Sequence, residues 1–312
     1  MAVNQYMDFL LDDIIYELFK KLSISDAYQL SLINKQFNNI FECPKLWNNF
    51  VYKMIDINIF DTIEAPSCKL TCRRFCDLKY LNKLFKLDQN VLVLYQKDYL
   101  QLQNKQIISI PSEIGQLVSL QALYLHYNHI TSIPIEIGKV VNLKFLYLHK
   151  NQITSIPSEI GQLVNLQWLN LSNNQITSMP SEIGQLVNLR QLHLSNNQIT
   201  SIPSEIGQMV NLQYLDLSTN QITSIPSEIA QLVNLQSLYM HSNLITSIPS
   251  EICQLPSLQL LYLSCNQITS IPFEISQLVN LKELHLYRNM ITSIPPEIIH
   301  FLLNLQYLNL AS

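Results

Sequence analysis

Three polar side chains in the C-terminal half of the sequence have the types that serine hydrolases use. His193 and Asp216 are candidates for a base and its orienting acid, and Ser195 is a candidate nucleophile. Such a triad works only beside donors for an oxyanion and in a pocket that excludes water. Its feasibility therefore depends on the elements that carry the three residues.

A second group with possible chemistry consists of three cysteines, Cys68, Cys72 and Cys76. Their spacing would place them on one face of a helix, where three thiolates could bind zinc with a fourth ligand from elsewhere. Packing of a small apolar face explains the same spacing, and we predict no metal site. The chain also lacks a phosphate-binding Gly-rich loop, His-Glu-x-x-His and Gly-x-Ser-x-Gly. We therefore predict no catalytic residue and no cofactor.

The elements that carry the candidate triad repeat every 23 residues from about Leu100 onward. One unit, from Leu166 to Leu186, reads Leu-x-x-Leu-x-Leu-x-x-Asn-x-Ile-x-x-Met-Pro-x-Glu-Ile-x-x-Leu. The Asn and the Pro recur in unit after unit, and all five Gly of the protein occupy one equivalent position. A fixed period of this length predicts a solenoid of stacked coils.

This unit resembles the leucine-rich repeat, specifically its 23-residue intracellular type with Ile-Pro-x-Glu-Ile on the convex side, and the resemblance spans about 210 residues. The resemblance implies an α/β solenoid with a curved parallel sheet and short helical turns. The alternating Leu point inward from each strand. The Asn satisfies buried backbone groups, and Pro and Glu begin the convex turn. The Gly position predicts close packing between coils.

The repeats predict ten strands that stack about 4.8 Å apart into a sheet about 43 Å long. We predict that they begin at Leu100, Leu123, Leu146, Leu169, Leu192, Leu215, Leu238, Leu261, Leu284 and Leu308. The first unit has Lys105 in place of the Asn, and the last unit is out of phase by one residue. Phe301, Leu302 and Leu303 lie beside an edge strand without a polar cap. This predicts fraying, truncation relative to an ancestor, or an end-to-end homodimer.

Variable side chains on the concave face predict a binding surface for a target protein. They combine contact area with polar groups, as interface hot spots do. Random drift among exposed strand positions is the alternative. Polar residues such as Asn170 and Ser172 separate two aromatic ends, which predicts a ligand anchored at two places. The predicted target-binding residues are Tyr124, His126, Tyr147, His149, Trp168 (just before its strand), His193, Asp216, Tyr239, His241, Tyr262, His285, Tyr287 and Arg288.

The same sheet argues against the hydrolytic triad. His193 and Asp216 would be neighbours on adjacent strands, with Ser195 two residues along. An open sheet offers no pocket, and its strand amides are committed to the sheet, so no oxyanion site forms. We expect the pair to make ligand binding pH-sensitive instead.

Residues 1–50 do not repeat, and their apolar residues recur at helical spacing. They predict a small all-α bundle, followed by a helical linker and N-terminal cap over 51–99 and by the solenoid over 100–312. The first segment resembles the F-box, with two departures: Leu11 replaces the usual Pro and Phe37 the usual Trp. The resemblance implies that the segment binds Skp1 through Leu10, Ile14, Ile15, Leu18, Phe19, Leu22, Leu30, Ile33 and Trp47. The alternative is a generic helical cap for the first coil.

Composition excludes several other partners and places. Net charge is −4, so neither half neutralises many phosphates, and we expect no nucleic acid partner. Asp8, Asp12 and Asp13 occupy the region where a secretory signal would be apolar. No apolar run reaches the roughly 20 residues that a membrane span needs, and the six Cys are scattered. We expect no membrane partner and a cytoplasmic or nuclear location.

The F-box resemblance implies a substrate-recognition subunit of a cullin-type (SCF) ubiquitin ligase, in which one module binds Skp1 and the repeats bind a target. A non-catalytic signalling scaffold of the intracellular leucine-rich-repeat type is the alternative. A weak hydrolase on the concave face is a third hypothesis.

Overall fold

A computed structural model describes residues 97–303 and 305–310 of the chain. In this range, ten strands of three residues form one parallel sheet in chain order. The ten strands are β1 Tyr99–Gln101, β2 Ala122–Tyr124, β3 Phe145–Tyr147, β4 Trp168–Asn170, β5 Gln191–His193, β6 Tyr214–Asp216, β7 Ser237–Tyr239, β8 Leu260–Tyr262, β9 Glu283–His285 and β10 Tyr307–Asn309. The predicted leucine-rich-repeat solenoid is confirmed.

The register follows the repeat, because equivalent Leu residues pair across every strand gap. Leu123 is aligned with Leu146, and Leu284 is aligned with Leu308, which accounts for the extra residue of the last unit. The predicted strand starts are wrong by one position. Each strand begins at the residue before its inward Leu, because that residue's backbone already belongs to the ladder.

Short 3-10 turns lie between successive strands, as the Pro and Glu pattern predicts. The residue before each turn is a Pro. Before every turn but the last this Pro has extended geometry, for example Pro157 with φ −70° and ψ 150°, and its ring favours this φ. A five-residue helix, α1 (Ile299–Leu303), follows the last turn. The turns span Ser112–Gln116, Ile135–Lys139, Ser158–Gln162, Ser181–Gln185, Ser204–Gln208, Ser227–Gln231, Ser250–Gln254, Phe273–Gln277 and Pro296–Ile298.

The core runs through the centre of the coils and consists almost entirely of Leu and Ile. In the coil of β4, Leu169, Leu171, Ile176 and Ile183 have no exposed surface. A single coil could not enclose these side chains, so each coil is stabilised by its neighbours. Burying such a side chain contributes about 1.5–3 kcal/mol.

Asn197 illustrates the hydrogen bonds that recur along the predicted Asn ladder. Its Nδ2 donates to the carbonyls of Leu171 (3.1 Å) and Leu194 (3.0 Å). Its Oδ1 accepts from the N–H of Ile176 at 3.0 Å. One buried amide thus satisfies backbone groups of two coils, as equivalent Asn residues do along the sheet. The predicted role of this Asn is confirmed.

A second Asn ladder, which the sequence analysis missed, runs along the exposed turns before the strands. Asn188 Nδ2 donates to the carbonyl of Val164 at 2.8 Å. Asn142, Asn165, Asn211, Asn234 and Asn280 make the equivalent bond, and Ser257 replaces Asn in one coil. Because these bonds are exposed to water, we expect each to contribute less than a bond of the buried ladder.

The Gly position lies where adjacent coils approach closely. A Cβ added at Gly161 would lie 2.7 Å from the carbonyl oxygen of Glu182 in the next coil. The predicted reason for Gly at this position is therefore confirmed for the described coils. Later coils accept Ala230, Cys253 and Ser276 at the same place.

Several predictions fall outside the described residues and stay predictions. They are the F-box-like bundle and linker, the possible zinc ligands Cys68, Cys72 and Cys76, and the adaptor-binding residues Leu10, Ile14, Ile15, Leu18, Phe19, Leu22, Leu30, Ile33 and Trp47. Over residues 97–303 and 305–310, no helix combines the length and apolar character of a membrane span.

Candidate functional site

The concave face is the face of the sheet toward which two residues of each strand project. In strands β3 to β9 the first and third residues are half-buried and the middle Leu is fully buried. This follows from the two-residue alternation of a β-strand. The first strand residue therefore belongs to this face as much as the third.

Nine aromatic and imidazole rings form one continuous row across the concave face, which we call the ring row. Neighbouring ring centroids are between 3.9 Å (Tyr262 and His285) and 5.9 Å (Tyr147 and Trp168) apart. These distances are those of interacting aromatic pairs. From β2 to β10, the ring row consists of Tyr124, Tyr147, Trp168, His193, Tyr214, Tyr239, Tyr262, His285 and Tyr307.

Each strand from β2 to β10 supplies its ring from one of two positions. Where the third residue is Asn170 or Asp216, the first residue is Trp168 or Tyr214, and its ring fills the row. The predicted polar middle between two aromatic ends is therefore wrong. It considered only the third position, and it placed Trp168 outside its strand, whereas Trp168 is the first residue of β4.

A second cluster, the histidine cluster, lies beside the first two rings of the row. The rings of His126 and His149 stack with centroids 4.5 Å apart. Tyr127 contacts both imidazoles edge-on, and Lys150 Nζ lies 2.8 Å from the Tyr127 hydroxyl oxygen. The ammonium group also lies 4.4 Å from the centre of the Tyr127 ring, a cation–π distance.

Burial keeps the two stacked imidazoles of the histidine cluster neutral at neutral pH. It lowers the pKa of His126. Desolvation, with smaller repulsion from His126, Lys150 and His193, lowers the pKa of His149 to about 4. The Nδ1 atoms of both rings are buried without a hydrogen-bond partner among the described residues. The two imidazoles thus present uncharged ring surface, and the positive charge of the cluster is that of Lys150 alone.

These two imidazoles do not form a metal site. A metal ion binds the nitrogen lone pair in the plane of the imidazole, and two parallel stacked rings do not direct their lone pairs at one point. Within the described ranges, no group of three or more His, Cys, Asp and Glu side chains could hold a metal ion.

The candidate triad is brought together but is not connected. His193 and Asp216 are aligned on adjacent strands, as predicted. The Ser195 hydroxyl, however, donates to Ser172 Oγ at 3.0 Å, and Asp216 Oδ1 accepts from the Ser218 hydroxyl at 2.6 Å. The pKa of His193 is lowered by desolvation, which outweighs the opposing attraction of Asp216. The geometry does not assemble a nucleophile and its base.

A hydrogen-bonded carboxylate lies near the end of the ring row. Glu283 accepts from the Tyr262 hydroxyl, and His285 Nε2 lies 3.3 Å from the same carboxylate oxygen. The Tyr262 bond lowers the pKa of Glu283, with His285 adding to the effect against partial desolvation. Desolvation and this bond raise the pKa of Tyr262. The Glu283 carboxylate is thus ionised at neutral pH, and the Tyr262 hydroxyl is neutral.

The residue just before each ladder Asn adopts a left-handed backbone conformation. Asn173 and Asn196 tolerate it well, but the β-branched Thr219 is held there with φ 54°. Tyr127 (φ 57°) and Lys150 (φ 55°) of the histidine cluster share this geometry. It turns these side chains to the rim of the concave face at a local cost in stability.

The remaining predicted residues lie where the repeat places them. His241 and Tyr287 are half-buried beside the ring row, and Arg288 is exposed at its rim. The hydroxyl-bearing side chains of Ser172, Ser195 and Ser218 are buried and add little contact surface. Sequence reasoning missed Tyr214, Glu283 and Tyr307, although strict strand alternation could have identified them.

Comparison with protein families covers both parts of the chain. The F-box domain family matches residues 10–49. Leucine-rich-repeat families match residues 119–140, 135–193, 181–245, 233–278 and 256–312. The chain is an F-box protein with C-terminal leucine-rich repeats. Both domains of this F-box protein are typically protein-interaction modules.

Solved structures similar to this F-box protein match its repeats. A leucine-rich-repeat protein of Leptospira interrogans is 38% identical over 68% of this chain and 66% of that chain, with a TM-score of 0.47. The ectodomain of the Arabidopsis thaliana receptor kinase GASSHO1/SCHENGEN3, in complex with CASPARIAN STRIP INTEGRITY FACTOR 2, is 32% identical over 68% of this chain and 29% of that chain, with a TM-score of 0.57.

The plant peptide hormone receptor RGFR1, in complex with RGF2, is 29% identical over 68% of this chain and 39% of that chain, with a TM-score of 0.57. The F-box protein thus spans less than two thirds of each of these chains. A search of curated proteins found no significant match.

Proposed function

We propose that this F-box protein is the substrate-recognition subunit of a cullin-type (SCF) ubiquitin ligase. The match to the F-box domain over residues 10–49 supports binding to the adaptor Skp1 and, through it, to a cullin. The ring row supports binding of a target protein on the concave face. The protein would then act in the cytoplasm or nucleus, where its ligase partners work.

The single observation that carries the target-binding half is the uninterrupted ring row. Tyr and Trp provide large contact area with little loss of side-chain entropy and are enriched in interface hot spots. Neutral imidazoles in the histidine cluster add area without the desolvation cost of a charge. Two structurally similar receptors are themselves in complex with partners, which supports the use of such a framework for binding.

The protein would contribute proximity rather than chemistry. Holding a target and a ligase together raises the effective concentration of one at the other, with no new covalent step at the receptor. The unconnected His193, Asp216 and Ser195 fit this role better than the hydrolase hypothesis.

Co-expression with Skp1 tests the adaptor half of the proposal. The full-length chain should co-purify with Skp1 as a stable complex, and Leu18→Asp or Ile33→Asp should abolish the complex. Lys20→Asp is a matched control, because it changes charge in the same segment without interrupting the apolar pattern. We expect Lys20→Asp to retain Skp1.

Failure of the wild-type chain to co-purify with Skp1 would contradict this half and favour the signalling scaffold. Measurable ester hydrolysis that disappears in Ser195→Ala would instead favour the hydrolase. The predicted end-to-end homodimer is a separate proposal, and light scattering of the purified complex should show two copies if it is correct.

A further inference from the structure

We infer that the concave face holds a proline-rich segment in the polyproline II conformation, with a Lys or Arg of that segment opposite Asp216. The inference rests on the proposed function, because it names the kind of segment that the target presents. It follows from the period of the ring row, from the hydroxyl groups along it and from the position of one carboxylate.

The spacing of the strands that carry the ring row fits polyproline II better than it fits a helix or a β-strand. Two strand spacings are about 9.6 Å, and one polyproline II turn of three residues is about 9.3 Å. Over the eight gaps of the ring row, four such turns drift by only about 1 Å. An α-helix has about 5.4 Å per turn, so with one turn for each strand gap it drifts by about 5 Å over the same eight gaps. A β-strand repeats every 6.6–6.8 Å and matches neither spacing.

The ring row also offers the groups that such a segment needs. A polyproline II chain makes no internal hydrogen bonds, so its carbonyl groups are free to accept. The hydroxyls of Tyr124, Tyr147 and Tyr214 donate no hydrogen bond within the part of the chain that the structure describes. Desolvation raises the pKa of Tyr147, and it raises the pKa of Tyr214 to about 12, with Asp216 and Tyr239 adding to the effect. The Tyr147 and Tyr214 hydroxyls therefore remain donors at neutral pH, and the rings supply the aromatic surface on which proline-rich segments dock.

Charge complementarity fixes the position of a basic residue. Asp216 lies on β6, aligned with His193 on one side and Tyr239 on the other, in the middle of the ring row. Only its Oδ1 is bonded, to the backbone N–H and hydroxyl of Ser218 at 3.0 and 2.6 Å. Its other oxygen has no partner among residues 97–303 and 305–310. A partner ammonium or guanidinium would form a charge-assisted bond there.

The second acidic side chain beside the ring row is already paired. The Glu283 carboxylate accepts from Tyr262 and contacts His285. At the other end of the face, the ammonium group of Lys150 contacts the hydroxyl and the ring of Tyr127. Asp216 is therefore the acidic side chain with capacity for a partner cation. Glu205, in the turn Ser204–Gln208 between β5 and β6, is a control carboxylate outside the ring row.

Selection from a peptide library by the full-length chain in complex with Skp1 tests the inference. One set of twelve-residue peptides carries Pro at two of every three positions. The second set has the same random positions with Ala in place of Pro. We expect enrichment of the Pro-rich set, with Lys or Arg near the middle. Binding of the best peptide should fall at least about tenfold in Asp216→Asn and stay within about twofold in Glu205→Gln.

Two outcomes would overturn the inference: enrichment of the Ala set or of no peptide, and equal binding to Asp216→Asn and wild type. Tyr214→Ala and Tyr239→Ala separate this failure from failure of the proposed function. If Ala-set peptides are enriched and lose binding in both variants, the concave face binds targets but not in polyproline II form. Retained Skp1 binding and an unchanged circular dichroism spectrum show that each variant is folded.

Discussion

The buried Asn ladder makes a quantitative prediction when compared with the exposed ladder of the same coil. Asn197→Ala removes the bond to the Ile176 N–H and leaves that buried donor without a partner, at about 1–3 kcal/mol. The carbonyls of Leu171 and Leu194 each lose one bond but keep another, from Asn174 and Asn220 respectively. Each such loss costs about 0.5–1.5 kcal/mol, so the total is about 2–6 kcal/mol.

The matched control is Asn188→Ala, which removes one exposed bond to the Val164 carbonyl. We expect it to cost about 0.5–1 kcal/mol, because water replaces the lost donor. Urea unfolding of both variants, followed by far-UV circular dichroism, gives the two free energies of unfolding. Hydrogen exchange of the Ile176 amide reads the local effect and should accelerate only in Asn197→Ala. Equal costs for the two variants, or an Ile176 amide that stays protected, would refute the reasoning.

Three further predictions concern backbone strain and titration. Thr219→Asn should raise the free energy of unfolding by about 1 kcal/mol and Asn196→Thr should lower it by a similar amount, measured by urea unfolding; opposite signs would contradict the role of the left-handed backbone. Tyr262→Phe should raise the pKa of Glu283 toward its ordinary value in an NMR titration, because the largest cause of its lowering is the Tyr262 bond; an unchanged pKa would show that the bond is not formed in solution. His149 has a pKa of about 4 in the folded chain, so the unfolded chain takes up its proton first as the pH falls. Stability should therefore decrease from about pH 6.5 to pH 4, and this decrease should be smaller in His149→Gln.

The repeat determined most of the fold in advance because every position has one physical role. Inward Leu, ladder Asn and the Gly position each follow from burial, hydrogen bonding or steric contact, and each role recurs in coil after coil. Strand starts were displaced by one residue because strand pairing begins before the first inward side chain. The exposed Asn ladder was not predicted, because an Asn in a polar turn is common and its sequence does not indicate that the side chain bonds to the preceding coil.

The binding surface was only partly predictable, for a reason of side-chain reach. Trp168 and Tyr214 project from the first strand position, yet their rings meet those from the third position of neighbouring strands. A long side chain can lean along its strand. The ring row therefore combines first-position and third-position residues, which are separate columns when the repeats are aligned. The hydrogen bonds that withdraw Ser195 and Asp216 from a triad likewise depend on rotamers that the sequence does not state.

Target capture by the full-length chain together with Skp1 tests the central claim most directly. Proteins that co-purify with the full-length chain and Skp1 from its own cells are quantified for wild type and for Tyr147→Ala, Tyr214→Ala, Tyr262→Ala combined. We expect one or a few proteins to be lost from the triple variant while Skp1 is retained in equal amount. An unchanged set of captured proteins, with Skp1 present in both samples, would contradict the claim that the ring row binds the target.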